Sequence, residues 1–463
     1  MDIFNAVNDF IWNYIMVILM LVCALWFTFK MRFVQISMFG EMFRMLRTST
    51  SVRGDRRRNI SSFEAFIISL ASRVGVGNLA GVTLAITVGG PGAIFWMWVM
   101  AVLNAATAFV EASLAQLYKS RSKESYIGGP AYYINKGLKN RTLAIVMVIL
   151  TVATFSFTMC SVQSNTIAIS GYEAFGINHY ITAAIIGALM FAVVFGGVHR
   201  IAKVTGLIVP VMAIAYVIIS LFVVVTNFHR IPDIIVTIIE NAFGIKQVVG
   251  GGIGAAFMLG TKRGLFSNEA GMGAAPNAAA TADVSHPVNQ GLLQALGVFV
   301  DTLVICSCTA FIVLLSHGTA PEGLTGIALT QFSLSNEIGL WGYYFVSVIV
   351  FFFGFSTCIG NTYYGESNIR FLSEKKWLIN CFRLLTVIFV MIGAVVPLEF
   401  VWALADFLMI FIVFINLLSI TKLGKYSYML LDNYKKQKRE NIREPVFDKK
   451  QIPELDVPEV ECW

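Results

Sequence analysis

The chain has 463 residues, 57% of them hydrophobic and 13% charged, with a mean hydropathy of +0.73. Soluble domains carry about 25% charged residues, so a soluble globular protein is excluded and a polytopic membrane protein is predicted. The formal net charge of +7 then reads as membrane topology, not as affinity for nucleic acid.

An apolar run of about 20 residues can cross a bilayer as a helix. Eleven such runs occur, at 8–29, 62–89, 93–117, 142–168, 180–197, 203–226, 247–275, 289–316, 341–366, 378–397 and 400–421. The loops on one side of these runs, 30–58, 118–141, 198–203, 276–288, 367–377 and the tail from 422, carry 28 of the 34 Lys and Arg residues. The loops on the other side carry only Arg230 and Lys246. Basic loops stay in the cytoplasm, so the chain is expected in the cell (inner) membrane, N-terminus outside and C-terminus inside. The first run, within 1–29, has no basic region before it and reads as a retained helix, not a cleaved signal peptide. The seven cysteines show neither metal spacing nor a disulfide framework.

Residues 30–61 alternate basic and apolar groups and then reach the basic run 53–58, as expected for an interfacial helix and a solvated loop against anionic lipid. The next run, 62–89, is broken by Gly75-Val76-Gly77-Asn78. Glycine inside a helix costs about 1 kcal/mol relative to alanine, and a polar Asn beside two glycines predicts unwinding. Unwound backbone at membrane depth is tolerated where it lines a cavity; its N–H groups suit a carboxylate and its C=O groups a cation. Glu111 lies two turns before the basic exit of the next run, either paired with Lys119 or a neighbouring helix or serving coupling. Gly128-Gly129-Pro130 starts a short cytoplasmic helix, and Gln163 and Asn165 are polar positions of the fourth run that suit either a cavity or interhelical bonding.

A second glycine-rich stretch spans 250–273 and, with 75–92, gathers 14 of the 38 glycines into 42 residues. The two stretches open the first and sixth of ten spans once the N-terminal helix is set aside. Interrupted segments at corresponding positions of two halves point to inverted repeats with the site at their interface. The domain reading follows: 1–29, an N-terminal transmembrane helix; 30–61, a basic segment; 62–226 and 247–421, two five-helix repeats; 227–246, an extracellular connection; 422–463, a solvated or loosely docked cytoplasmic tail. Lys262 and Arg263 mark either the inner end of the second broken helix or its unwound middle. Asp301 falls at mid-depth and needs a partner: Arg73, Arg263, a proton or a cation. In the ninth run Ser356 and Thr357 place two adjacent hydroxyls one turn above Asn361, either back-bonding to their own helix or offering oxygens to a hard cation.

Several strings resemble the alanine or glycine:cation symporter family, the sodium:alanine symporters. They are Val74-Gly75-Val76-Gly77-Asn78-Leu79-Ala80-Gly81, Gly89-Gly90-Pro91-Gly92-Ala93-Ile94-Phe95-Trp96-Met97-Trp98, Gly129-Pro130-Ala131-Tyr132-Tyr133-Ile134, Lys262-Arg263-Gly264-Leu265-Phe266-Ser267-Asn268-Glu269-Ala270-Gly271-Met272-Gly273 and Tyr364-Gly365-Glu366. The resemblance implies an all-α fold of eleven transmembrane helices, two inverted five-helix repeats plus one N-terminal helix. It implies that Gly75, Val76, Gly77 and Asn78 bind the amino acid carboxylate, with Gly260, Thr261, Phe266 and Asn361 completing the substrate site. It implies sodium held by Ala71, Val74, Ser356 and Thr357, and by Asn78 at a second position. Arg73 stands where many members have Thr, Asn361 where many have Trp and Asn104 where many have Gly; an amide for an indole makes a wider, more polar pocket.

The expected function is sodium-driven import of a small neutral amino acid, alanine, glycine, serine or glutamine, by alternating access, with sodium as coupling ion and no other cofactor. The alternatives are proton coupling through Asp301 or Glu111, with Arg73 as a third coupling or gating candidate, and a sensor or channel of the same fold. An intramembrane enzyme is disfavoured because the sequence has no His-Glu-x-x-His motif and no paired acids within a span.

Overall fold

The computed structural model describes residues 2–48, 60–122, 125–244, 253–316, 319–321 and 323–463. The basic run 53–58, Lys246 and the triple glycine at 250–252 lie outside the described residues.

In an apolar medium each backbone N–H has to find its carbonyl within its own segment, and the apolar runs accordingly form helices. In chain order these are α1 (Ala6–Lys30), α2 (Phe39–Thr48), α3 (Ser62–Arg73), α4 (Ala80–Gly89), α5 (Gly92–Leu117), α6 (Pro130–Gly137), α7 (Arg141–Phe175), α8 (His179–Val194) and α9 (Gly197–Thr226). Then follow α10 (Ile231–Ala242), α11 (Ile253–Asn268), α12 (Ala275–Ala279), α13 (Pro287–Leu315), α14 (Gly326–Ile338), α15 (Leu340–Leu372), α16 (Lys376–Gly393) and α17 (Leu398–Arg439). Among the described residues eight of these are long and apolar enough to cross a membrane singly, and the pair α3 and α4, bent by 54°, makes up to nine. The runs expected at 180–197 and 247–275 appear as the shorter α8 and α11. The protein is a mostly helical, multi-pass membrane protein.

Local chemistry sets the helix ends. Ser61 Oγ accepts from the Glu64 N–H at 3.1 Å while Glu64 Oε2 accepts from the Ser61 N–H at 2.7 Å, a reciprocal cap that starts α3. Asn140 and Asn178 cap α7 and α8. On α9 the exposed Leu207, Val211, Ile214, Ile218, Leu221 and Val225 recur every three or four residues, one apolar stripe turned outward to lipid. At the centre, α5 carries buried alanines at 101, 105, 108, 112 and 115, and α13 and α11 pack along it. A methyl group on Gly291 of α13 would stand 2.8 Å from the Phe109 ring, so small residues permit the close crossing.

The C-terminal segment is longer in helix than its sequence reading and takes the docked of the two expected forms. Helix α17 continues to Arg439, well beyond the expected end at 421, and residues 440–463 fold back onto the bundle. The Phe447 N–H donates to the Ser285 carbonyl at 2.9 Å, Trp463 Nε1 donates to the Gln116 carbonyl at 2.9 Å, and Leu455 and Val460 are buried. Lys119 therefore does not reach Glu111. Its ammonium donates to Gln116 Oε1 and the Ala282 carbonyl and lies over the rings of Tyr126 and Trp463; burial lowers its pKa to about 8.

Candidate functional site

The site is built from two breaks in the helical ladder. Helix α3 stops at Arg73, and the chain runs through an extended Gly75 into a single tight turn, Val76–Asn78, before α4 begins. The groups freed there find side chains: the Gly75 N–H donates to Asn78 Oδ1 at 2.8 Å and the Val76 N–H to Gln163 Oε1 of α7 at 2.9 Å. On the opposite polarity, the carbonyls of Ala71 and Val74 lie 3.0 and 3.2 Å from Thr357 Oγ1 of α15. A side chain at Gly75 would collide with Thr357 Oγ1 and Gln163 Oε1, so this approach requires glycine. Ser356 turns elsewhere: its hydroxyl back-bonds to the Phe353 carbonyl at 2.9 Å and meets Met212 Sδ at 3.7 Å.

Asn78 and Asp301 are direct partners. The Asn78 amide donates to Asp301 Oδ1 at 2.6 Å and to Ser267 Oγ at 2.9 Å, and the hydroxyls of Ser267 and Thr302 donate to Asp301 Oδ2 at 2.7 and 3.0 Å. Asp301 lies in a π-helical stretch of α13, Phe299–Cys306, a feature that recurs at functional sites. Among the described residues neither of the arginines proposed for it forms an ion pair with it. Arg263 makes a two-pronged contact with Asp406 of α17, both bonds 3.0 Å, and Lys262 reaches the same carboxylate at 2.6 Å. Arg73, 2% exposed, donates through Nη1 to the Gln294 carbonyl at 3.0 Å, while its Nε and Nη2 find no acceptor among the described residues.

The second break falls at 269–274, between α11 and α12. Phe266 and Ser267, in the last turn of α11, face the first break: a methyl group on Gly77 would stand 2.8 Å from the Phe266 ring, which also contacts Trp402 at 4.7 Å between centroids. Lys262 and Arg263 thus sit inside α11, before the unwound segment and beside neither of its ends. Gly260 and Thr261 are not brought to the site. They lie about two turns before the break, where Gly260 packs on the Ala93 carbonyl and Trp96 of α5.

Around Ser72 a polar cluster adjoins both breaks. Its Oγ is 2.6 Å from Glu269 Oε1 and 2.6 Å from Asn361 Oδ1, and Tyr364 OH lies 3.4 Å from Glu269 Oε2. A single hydroxyl proton serves one acceptor, so the arrangement is satisfied with the Asn361 amide turned to donate to Ser72 while Ser72 donates to Glu269. Gln163, offered by the sequence for either a cavity or interhelical bonding, is a contributor, and Ser267 and Glu269 are contributors that the sequence-derived set lacks. Gln163 is visible as a polar residue within an apolar run, and Ser267 and Glu269 stand inside a quoted string whose glycines mark the true break.

The model of the sodium:alanine symporter family matches residues 1–449. A probable sodium/glutamine symporter of Bacillus subtilis, GlnT, is 45% identical over 461 residues, covering 100% of this chain and 95% of the relative. The amino-acid carrier protein AlsT of the same organism is 47% identical over 462 residues, covering 100% and 97%. Among solved structures, MhsT in complex with L-phenylalanine matches in fold with a TM-score of 0.59 at 12% identity, over 81% of this chain and 99% of that one.

Proposed function

We propose that this chain, which belongs to the sodium:alanine symporter family, imports a small neutral amino acid by coupling it to sodium entry. Family membership carries the general conclusion, an amino acid transport role and not catalysis. The finer reading is supported by one observation: a single break exposes both polarities of backbone. The N–H groups of Gly75 and Val76 and the carbonyls of Ala71 and Val74 lie within a few residues, the latter two beside the Thr357 hydroxyl.

In this reading the substrate carboxylate takes over from Gln163 Oε1 at the Val76 N–H and from Asn78 Oδ1 at the Gly75 N–H. Sodium takes oxygens of Ala71, Val74 and Thr357. Ser356 joins this set after a rotamer change that releases the Phe353 carbonyl, and a second sodium uses Asn78 beside Asp301. Phe266 and Trp402 cover the substrate, and Asn361 meets its side chain, which favours serine or glutamine beside alanine and glycine. Each charge moved down the potential contributes about 2.3 kcal/mol per 100 mV, so one or two sodium ions suffice to concentrate a neutral solute. We further propose eleven crossings arranged as two inverted five-helix repeats after α1, alternating access around the paired breaks, and an inner-membrane orientation with the N-terminus outside.

Proton coupling through Asp301 is the second reading, favoured by a fully buried carboxylate that has no Lys or Arg partner among the described residues. Uptake of labelled alanine, glycine, serine and glutamine by proteoliposomes separates the two. Accumulation under an inward sodium gradient at equal pH supports the first; accumulation under a proton gradient without sodium replaces it with the second.

A further inference from the structure

The second break has an unusual backbone. Glu269, Gly271 and Gly273 have φ of 57°, 96° and 73°, three left-handed residues within five. Alternation of this kind turns successive N–H groups toward one point and forms an anion-binding concavity. That point is occupied by a side chain of the protein itself: the Gly271 N–H donates to Glu111 Oε2 at 3.0 Å and the Gly273 N–H to Glu111 Oε1 at 2.9 Å. The Asn416 amide of α17 donates to Glu111 Oε1 and to the Gly271 carbonyl at 2.9 Å, and Tyr133 OH of α6 donates to Asn416 Oδ1. Among the described residues Glu111 makes no ion pair with a Lys or Arg.

We propose that Glu111 is a positioning residue for transport, a carboxylate that clamps the unwound middle of the second broken helix and fixes the angle between α11 and α12. The clamp joins four elements. Glu111 is on α5, Asn416 on α17, Tyr133 on α6, and the two amides form the hinge itself. The hinge has no slack, since a methyl group on Gly273 would stand 2.6 Å from the Pro130 ring and one on Gly271 3.3 Å from Leu417. Phe266 and Ser267, a few residues before the hinge, are the groups that face Gly77 and Asn78, so the clamp sets how the two breaks meet. Two oxygens are needed because two N–H groups are presented. Glutamine offers one oxygen and one NH2, which leaves one amide of the hinge facing a donor.

This inference rests on the transport reading above, and wild-type accumulation of labelled alanine and glutamine in proteoliposomes tests that reading separately. The test of the clamp compares Glu111→Gln and Glu111→Asp with wild type for equilibrium binding of the same labelled amino acids in detergent, for turnover in vesicles, and for sodium half-activation. Glu111→Gln is expected to bind within about threefold of wild type while turnover falls about tenfold or more, because a hinge governs the conformational step. Glu111→Asp keeps both oxygens and should recover part of the turnover, with sodium half-activation unchanged in both. Binding and turnover that fall together with folded yield would reduce Glu111 to a structural role. A changed sodium or pH dependence would make it a coupling group, and wild-type turnover in Glu111→Gln would remove the clamp.

Discussion

Thr357 carries the sharpest residue-scale consequence. Its hydroxyl bridges the Ala71 and Val74 carbonyls across the first break, so its removal takes one oxygen from the proposed cation cage and leaves two buried carbonyls facing a methyl group. Thr357→Ala is expected to raise the sodium concentration for half-maximal uptake by about tenfold or more, the loss of one good ligand being worth roughly 1.4 kcal/mol or above. Thr357→Ser should stay close to wild type, and a sodium titration of uptake rates reads both. Asp406 makes the opposite kind of statement, about stability. It balances Lys262 and Arg263 in the buried interior, and its carbonyl accepts the Trp12 indole N–H at 3.0 Å. Breaking a buried pair by removing one partner costs about 3–5 kcal/mol, so Asp406→Asn should lower the melting temperature in detergent markedly, and an unchanged melt would show that the cations find other partners.

At the scale of elements, the first break was legible and the position of the second stayed open. Gly75-Val76-Gly77-Asn78 unwinds because glycine and a polar amide weaken the same turn. In the second stretch the glycines serve two purposes that sequence cannot separate: Gly260 and Gly264 pack α11 onto Ala93 and Met97 of α5, whereas Gly271 and Gly273 adopt left-handed backbone. Glycine density alone therefore could not place the break. The end of α17 was also hidden, because Lys, Gln and Arg mark the edge of the membrane and are good helix formers in water as well. The start of α13 yields a pH prediction. His286 Nδ1 accepts the Val288 N–H at 3.2 Å, so Nε2 carries the proton and faces Asn433 Oδ1 at 3.2 Å, between the rings of Tyr434 and Phe447. Burial lowers its pKa from the ordinary 6.5 to about 3. The unfolded chain takes up this proton near 6.5 and the folded chain does not, so the stabilisation is full above pH 6.5 and is lost as pH falls toward 3, by roughly 1 kcal/mol per pH unit. Melting of the wild type should drop between pH 7.5 and 5 by more than that of His286→Gln; parallel profiles would contradict this.

For the molecule as a whole, composition was enough to read a multi-pass membrane protein, since charge is costly in lipid, whereas transport was legible only in the broken helices and the family strings. The assembly of the site was less visible. Asp301 is expected from sequence to need Arg73, Arg263, a proton or a cation; beside its own neighbour Thr302, the structure brings it Asn78 of the first break and Ser267 of α11, and no spacing along the chain announces those two meetings. Likewise Arg73, a candidate partner for Asp301 in the sequence, is buried with one nitrogen bonded and two without an acceptor among the described residues. In the proposed function amino acid and sodium nonetheless cross together through the paired breaks. The most direct test of this coupling is the entry of radiolabelled sodium into proteoliposomes with and without external alanine or glutamine. The amino acid is expected to accelerate sodium entry in the wild type, and Thr357→Ala to shift this acceleration to about tenfold higher sodium; accumulation of amino acid with no accompanying sodium flux would contradict the proposed coupling.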